Sequence, residues 1–337
     1  MCISVRDAEP DHEIGVKTVK SGTSAKVKKR MSLKEFIIAK RINRNWQLYL
    51  MLIPVAAFFI VFCYAPMYGI TLAFKDYKVL KGILGSPWAN PWYKYFLQFF
   101  QSPYFSRVLS NTIIVSLESL VLGFPLPIIL ALSLNEVKSI KYKKFVQNIT
   151  YAPHFLSVLV LVGVIKAFTN SDYGIVNILI RKMGGEGYNW MQKASLFRPL
   201  YVGSGIWQNI GWDSIIYIAA LAGIDPGLHE AAMIDGANRM QRIWHINLPG
   251  IMPTMVILLI LNSGHIMNVG FEKVFLMQND LNLSVSDVIA TYSYRIGIES
   301  AQYSLSTAIS LFNSVINCAL LVLVNTCSRK LSETSLW

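Results

Sequence analysis

Charge is what this sequence has least of. Only 15% of its 337 residues are Asp, Glu, Lys or Arg, against about 25% in ordinary soluble domains. The deficit is concentrated in blocks. Asn45 to Phe74 runs 30 residues without a formal charge, and Ser300 to Ser328 runs 29. A helix needs about 20 apolar residues to cross a hydrocarbon core, so a soluble enzyme and a disordered chain are excluded. Cysteine is equally sparse. Cys2, Cys63, Cys318 and Cys327 stand far apart without metal-ligand spacing, which excludes a disulfide scaffold and a zinc module, and those inside apolar runs read as small hydrophobes. No Gly-Lys dipeptide occurs, hence no phosphate-cradling Walker loop. His229-Glu230 opens like a zinc-protease helix, but residue 233 is Met where a second His would be needed.

What remains is 53% hydrophobic and reads as an all-α integral membrane protein with six transmembrane helices. The expected spans are Leu48 to Phe74, Asn111 to Leu134, Phe145 to Phe168, Leu200 to Ala222, Ile251 to Phe271 and Ser304 to Cys327. Prolines within them are tolerable because neighbouring helices and waters can satisfy the freed carbonyls.

The formal charge of +12 is placed unevenly. Eleven of the 31 Lys/Arg lie in the first 44 residues. A basic run can mean nucleic acid, but this one abuts an apolar span and has no apolar core of its own. It therefore reads as a cytoplasmic anchor, neither a nucleic-acid arm nor a cleaved signal peptide. With the N-terminus inside, inner segments hold 19 Lys/Arg and outer loops 11, with Lys166 near a span end snorkelling outward. Both termini are then expected in the cytoplasm. The outer loops carry Trp88, Trp92, Tyr93, Tyr95 and Trp190, which read first as interfacial anchors and second as a docking surface.

One loop, between spans four and five, is sharply patterned. Asp225 can cap a helix that starts at Pro226, Ala231 to Met233 continue it, and Gly236 is a good stop. A second short helix from Asn238 carries Met240, Ile243 and Trp244 at helical spacing, and Pro249 begins the next span. The physical reading is a rigid amphipathic helix–turn–helix. Its spacing is more specific than that: Glu230-Ala231-Ala232, Gly236 and Ile246-x-Leu248-Pro249 match the EAA loop in full. The chain thereby resembles the permease subunits of bacterial binding-protein-dependent ABC importers, from about Arg107 to Arg329. Tyr151-Ala-Pro153, Gly174-x-x-Asn177 and the ending Leu331 to Trp337 are further similarities. It is most similar to carbohydrate permeases of the maltose-permease type, in the branch for complex oligosaccharides or polysaccharide fragments.

The resemblance implies a type I ABC importer transmembrane domain of the MetI-like fold. It implies a basic N-terminal tail at 1–44, a first span and outer loop at 45–106, a permease core at 107–329 around the coupling loop 225–249, and a C-terminal tail at 330–337. The EAA loop would dock on a cytoplasmic ATPase, with Glu230 as polar contact, Ala231 and Ala232 for close packing, Gly236 for the turn, and Ile246, Leu248 and Pro249 completing the motif. ATP would be bound by that partner, so this subunit carries no catalytic residue, metal or cofactor of its own. The implied partners are a second homologous permease, two ATP-binding subunits, an extracytoplasmic solute-binding (lipo)protein, the sugar and membrane lipid, with no nucleic acid. The implied location is the bacterial cell membrane.

Polar groups inside spans are costly and are functional candidates by default. Gln208, Asn209 and Trp212 fall on one face of span four. Counted from Glu230, they and Asn262 and His265 in span five sit at positions that resemble sugar contacts of the maltose permease, and Asn268 extends that face. Amides suit hydroxyls and an indole suits a sugar's apolar face; the alternative for each is hydrogen bonding between helices. Glu118 and Asp213 read as carboxylates with a structural partner or, less simply, a proton relay.

Overall fold

The computed structural model describes residues 45–332. The basic tail expected at 1–44 and most of the tail expected at 330–337 lie outside the described residues. The chain divides into two units, Met1–Ala65 and Pro66–Trp337. In the first, helix α1 (Trp46–Phe58) passes into a wider π turn, Phe59–Tyr64, and no side chain is buried. A helix apolar on every face that buries none of its own side chains needs hydrocarbon around it.

The second unit is a helical bundle. Its principal elements are α2 (Phe105–Gly123), α3 (Pro125–Asn135), α4 (Ile140–Tyr151), α5 (Val158–Phe168), α6 (Ala194–Ala222), α7 (Pro226–Ile234), α8 (Leu248–Ser263), α9 (Phe271–Met277), α10 (Ile289–Tyr294) and α11 (Tyr303–Ser332). Helix α6 is the hub, packing on α2, α3, α4 and α8. Three apolar clusters hold the bundle. One joins Phe99, Val108, Ile289, Tyr292 and Ile309; another joins Val115, Val162, Phe197, Val274 and Val288; the third joins Ile128, Tyr217, Leu221 and Ile251.

Among the described residues, four helical stretches are long and apolar enough to cross a membrane: Trp46–Phe74, Phe105–Asn135, Arg239–Ser263 and Tyr303–Lys330. A fifth follows if Ile140–Phe155 and Val158–Phe168, bent by 103° at their break, form one span. Apolar length alone thus stops short of the six expected. Helix α6, the expected fourth span, has the length, 29 residues or about 44 Å, but Gln208, Asn209 and Asp213 make it more polar.

Two expected spans are reshaped. The third is not continuous: α4 ends in a 3-10 turn at Ala152–Phe155, where Pro153 cannot donate, and Ser157 caps α5 by accepting from Val160 N–H at 3.3 Å. The fifth stops at Ser263, eight residues before Phe271, and the chain turns through Gly264 to Gly270 into α9.

At α4 the hub helix comes very close. A Cβ on Gly211 would lie 2.2 Å from the Thr150 carbonyl oxygen, so only glycine permits this contact.

The segment 169–190 is tied down internally. Fully buried Asn177 donates to Asn170 O at 2.7 Å and Tyr188 O at 2.9 Å, while its own carbonyl accepts from Tyr188 N–H and from the Trp190 indole at 3.0 Å. Trp190 also stacks on Tyr188 at 4.9 Å. Trp190 therefore also fastens the loop. Deeper, fully buried Asp287 takes Arg295 at 2.7 Å and Arg107 at 3.1 Å, and Asn111 bridges Arg198 to the Asp287 and Ser284 carbonyls.

Candidate functional site

Two places in the bundle concentrate the patterned residues. The first is the loop after α6. Asp225 accepts from Gly227 N–H at 2.9 Å and Pro226 opens α7. Helix α7 ends in a Schellman turn: Gly236 sits at φ +80°, Ala237 N–H reaches Ala232 O at 2.8 Å, and Gly236 N–H reaches Met233 O at 3.2 Å. Asn238 and Gln241 then form a reciprocal capping box, at 2.9 and 2.7 Å. The expected helix–turn–helix is present with the caps in place.

Its second helix differs from expectation in one respect. It does not stop before Pro249; the chain stays helical from Arg239 through a π turn at Ile243–Asn247 into α8. Pro249, which has no N–H to donate, lies inside this continuous helix just after the π turn. Arg242 lies 3.9 Å from Glu136 at the end of α3, and Asn247 is fully buried.

This loop presents an apolar surface outward. Leu228, Met233, Ile234, Met240 and Trp244 are exposed, as are Glu230, Ala231 and Gly236. Helix α7 buries no residue at all. Ala232, Gly236, Ile246 and Arg242 border a shallow depression of about 290 Å³. Leu248, by contrast, packs into the cluster around Ile251.

The second place is a cavity of about 400 Å³ between α2, α6, α8 and α9. Gln208, Asn209, Asn262, His265 and Asn268 all line it, together with Asp213, Ser116, Ser119, Tyr201 and Lys273. Five of the six expected pathway residues are thus brought together. Several of their polar groups are already engaged. Gln208 donates to Leu156 O at 2.9 Å, satisfying the carbonyl freed at the break between α4 and α5. Asn209 donates to Gly205 O at 3.1 Å and its carbonyl faces His154 Nδ1 at 3.0 Å. Asn268 accepts from Asn313 at 3.1 Å and Asn317 at 2.9 Å on α11. Asn262 and His265 are exposed to the cavity.

Trp212 is the exception. It is not in the cavity wall; its indole stacks face to face on His154, centroids 4.4 Å apart and planes 5° apart. One indole face is therefore covered by the chain's own imidazole. Glu118 is likewise outside the cavity wall, whereas Asp213 is in it. Two residues join the site unannounced by the sequence. His154 directly follows Tyr151-Ala-Pro153 and carries no charge signal of its own. Lys273 reads as an ordinary loop charge, yet it is only 8% exposed, donates to Tyr201 O at 2.7 Å and sits over the Tyr201 ring at 4.6 Å.

Comparison with known proteins accords with this arrangement. The family model for the binding-protein-dependent transport system inner membrane component matches residues 123–333. Protein LplB of Bacillus subtilis (strain 168) is 43% identical over 88% of this chain and 92% of its own length. The polygalacturonan/rhamnogalacturonan transport system permease protein YteP of the same organism is 41% identical over 89% and 93%. Among solved structures, a bacterial alginate ABC transporter, crystallised with its alginate pentasaccharide-bound periplasmic protein, superposes with a TM-score of 0.81. It is 40% identical and covers 88% of this chain and 99% of that one.

Proposed function

Because the chain belongs to the family of binding-protein-dependent transport system inner membrane components, we propose that it is the membrane-spanning permease subunit of an ATP-driven glycan importer. Its cargo in this reading is an oligosaccharide or polysaccharide fragment. The chain is a transport subunit, not an enzyme. The observation that supports the glycan is the cavity: amides, hydroxyls and an imidazole converge on about 400 Å³ inside an otherwise apolar bundle, and such groups match the alternating donors and acceptors of sugar hydroxyls. Relatives at about 40% identity whose names specify polygalacturonan/rhamnogalacturonan and alginate support the same reading.

In this reading the exposed loop 225–249 is where the ATPase docks. Glu230 supplies a polar contact, the exposed Ala231 and half-buried Ala232 allow close approach, Gly236 sets the turn, and Ile246, Leu248 and Pro249 join the docked surface to the span. ATP stays on the partner. A second homologous permease, two ATP-binding subunits and an extracytoplasmic solute-binding protein complete the importer in a bacterial cell membrane. The deciding experiment is reconstitution of the complex in proteoliposomes. Uptake of an oligosaccharide should require enclosed ATP and survive collapse of the proton gradient; the opposite pattern would identify an ion-coupled carrier.

Orientation follows from the charge asymmetry. In a background without native cysteines, single cysteines at Lys141 and Asn238 should react only with permeant reagent, and those at Trp88 and Glu186 with impermeant reagent from outside. Outside labelling at 238 would sink both the orientation and the docking role.

The cavity separates two kinds of residue. Asn262→Ala should slow uptake per assembled complex severalfold with little change in melting temperature, because its amide has open space in front of it. Trp212→Ala should do the reverse, losing the His154 stack and lowering thermal stability by about 1–3 kcal/mol. Equal effects of both on stability would make Asn262 a packing residue.

A further inference from the structure

Lys273 is the feature of the cavity that a neutral sugar does not require. Its ammonium is nine-tenths buried, and its partners are a neutral carbonyl and an aromatic face. Among the described residues the ion pairs are Lys94–Asp76, Arg107–Asp287, Arg295–Asp287 and Arg242–Glu136; no carboxylate stands within 4.0 Å of Lys273. Burying a cation without a counter-charge is expensive, and a side chain needed only for packing would be Met or Leu.

Gly205 stands beside the ammonium: a Cβ there would lie 3.3 Å from Lys273 Nζ. Gly205, Asn209 and Asp213 follow at four-residue intervals and therefore share one face of α6. All three line the cavity. The rise of 1.5 Å per residue sets the Gly205 end about 12 Å from the Asp213 end. The cavity is thus polarised, with an ammonium at one end, the Asn209 amide between, and a carboxylate at the other. A cation that far from Asp213 is left to an incoming anion.

We propose that Lys273 is a specificity-determining residue of the pathway that holds a carboxylate of the cargo, so that the glycan carried contains acidic sugar units. Tyr201 offers the ammonium one carbonyl acceptor and a ring face, and with three N–H donors it has capacity for a carboxylate oxygen as well. A lone ammonium is a point charge, without the planar fork of a guanidinium or a cluster of backbone N–H groups, and it suits one singly charged group at a time. The sugar's hydroxyls would then fall to Asn209, Asn262 and His265. This inference rests on the glycan-permease reading and adds the charge of the cargo to it.

The test uses the whole importer with its own binding protein in proteoliposomes, with two probes of equal length: a four-residue oligogalacturonate and the same oligomer fully methyl-esterified. Uptake is measured per assembled complex. K273M should lower the ratio of acid to ester uptake at least about tenfold, as loss of one partner of a desolvated charge pair does, and K273R should retain most of it. K273Q, which keeps a polar head, reads the same ratio should K273M assemble poorly. An unchanged ratio in assembled K273M or K273Q overturns the inference, as does an equal loss of both probes in every variant. A wild-type complex that imports only the ester overturns it while leaving the permease reading intact. A complex that imports neither probe nor a neutral galacto-oligosaccharide fails both.

Discussion

Gly236→Leu is expected to reduce ATP-driven uptake to background while the protein still reaches the membrane and assembles. Gly236 holds φ +80°, where a Cβ costs about 1–2 kcal/mol. That is small against a total stability of about 5–15 kcal/mol, so the bundle should persist. It is large for α7, which buries no residue and whose geometry is fixed only by its caps and the Schellman turn. The strain should therefore be relieved locally, by unwinding the turn and re-aiming the exposed surface of Leu228, Met233 and Ile234. Glu230→Ala should give the same loss of uptake for a different reason. Glu230 is exposed, so its removal should leave the melting temperature unchanged and subtract only a contact to the partner. Normal uptake by both variants at wild-type levels would overturn the docking role.

Asp287→Ala should cause a large loss of stability. Its carboxylate is wholly buried and accepts from two guanidinium groups. Removing one partner of a fully buried pair costs about 3–5 kcal/mol. Here both arginines are about a third exposed, 33% and 31%, and water recovers part of their loss, so about 2–3 kcal/mol is expected. Arg107→Ala should cost much less, since Arg295 still neutralises the carboxylate. Thermal unfolding of the purified complex in detergent checks the order. Equal losses for the two substitutions would show that packing around Tyr104 and Tyr292, and not the charge, holds this region.

The sequence made some of this legible and hid the rest, for physical reasons. The loop 225–249 could be read almost atom for atom, because caps and turns are local: Asp225, Pro226, Gly236 and Asn238 each act within a few residues of themselves. Gln208 and Asn209 on α6 and Asn262 on α8 line the cavity, while His265 and Asn268 reach it from the turn that follows α8, which helical spacing does not describe. Trp212 shares the spacing but is drawn away by His154, a partner on another helix that no periodicity reveals. Helix breaks were the least legible. The apolar run 145–168 looks uniform, yet Pro153 and the Ser157 cap bend it by 103°, and the exposed carbonyl of Leu156 is supplied with a donor 52 residues on, by Gln208. Lys273 was invisible as a site because charge counting assigns a lysine to solvent, and only its placement over Tyr201 shows it to be buried.

The continuous helix from Arg239 to Ser263 has a mechanical corollary. At 25 residues it is a rod about 37 Å long, with one end in the exposed loop and the other, at Asn262, in the cavity wall. Its hydrogen-bond ladder is interrupted at the π turn Ile243–Asn247, at Pro249 and at Pro253, and the π turn, flanked by the Arg242–Glu136 contact, is placed like the fulcrum of a lever. From that fulcrum to Asn262 is about 15 residues, or about 22 Å, so a tilt of about 10° displaces the far tip by about 4 Å, enough to take an amide out of hydrogen-bonding reach of anything it holds.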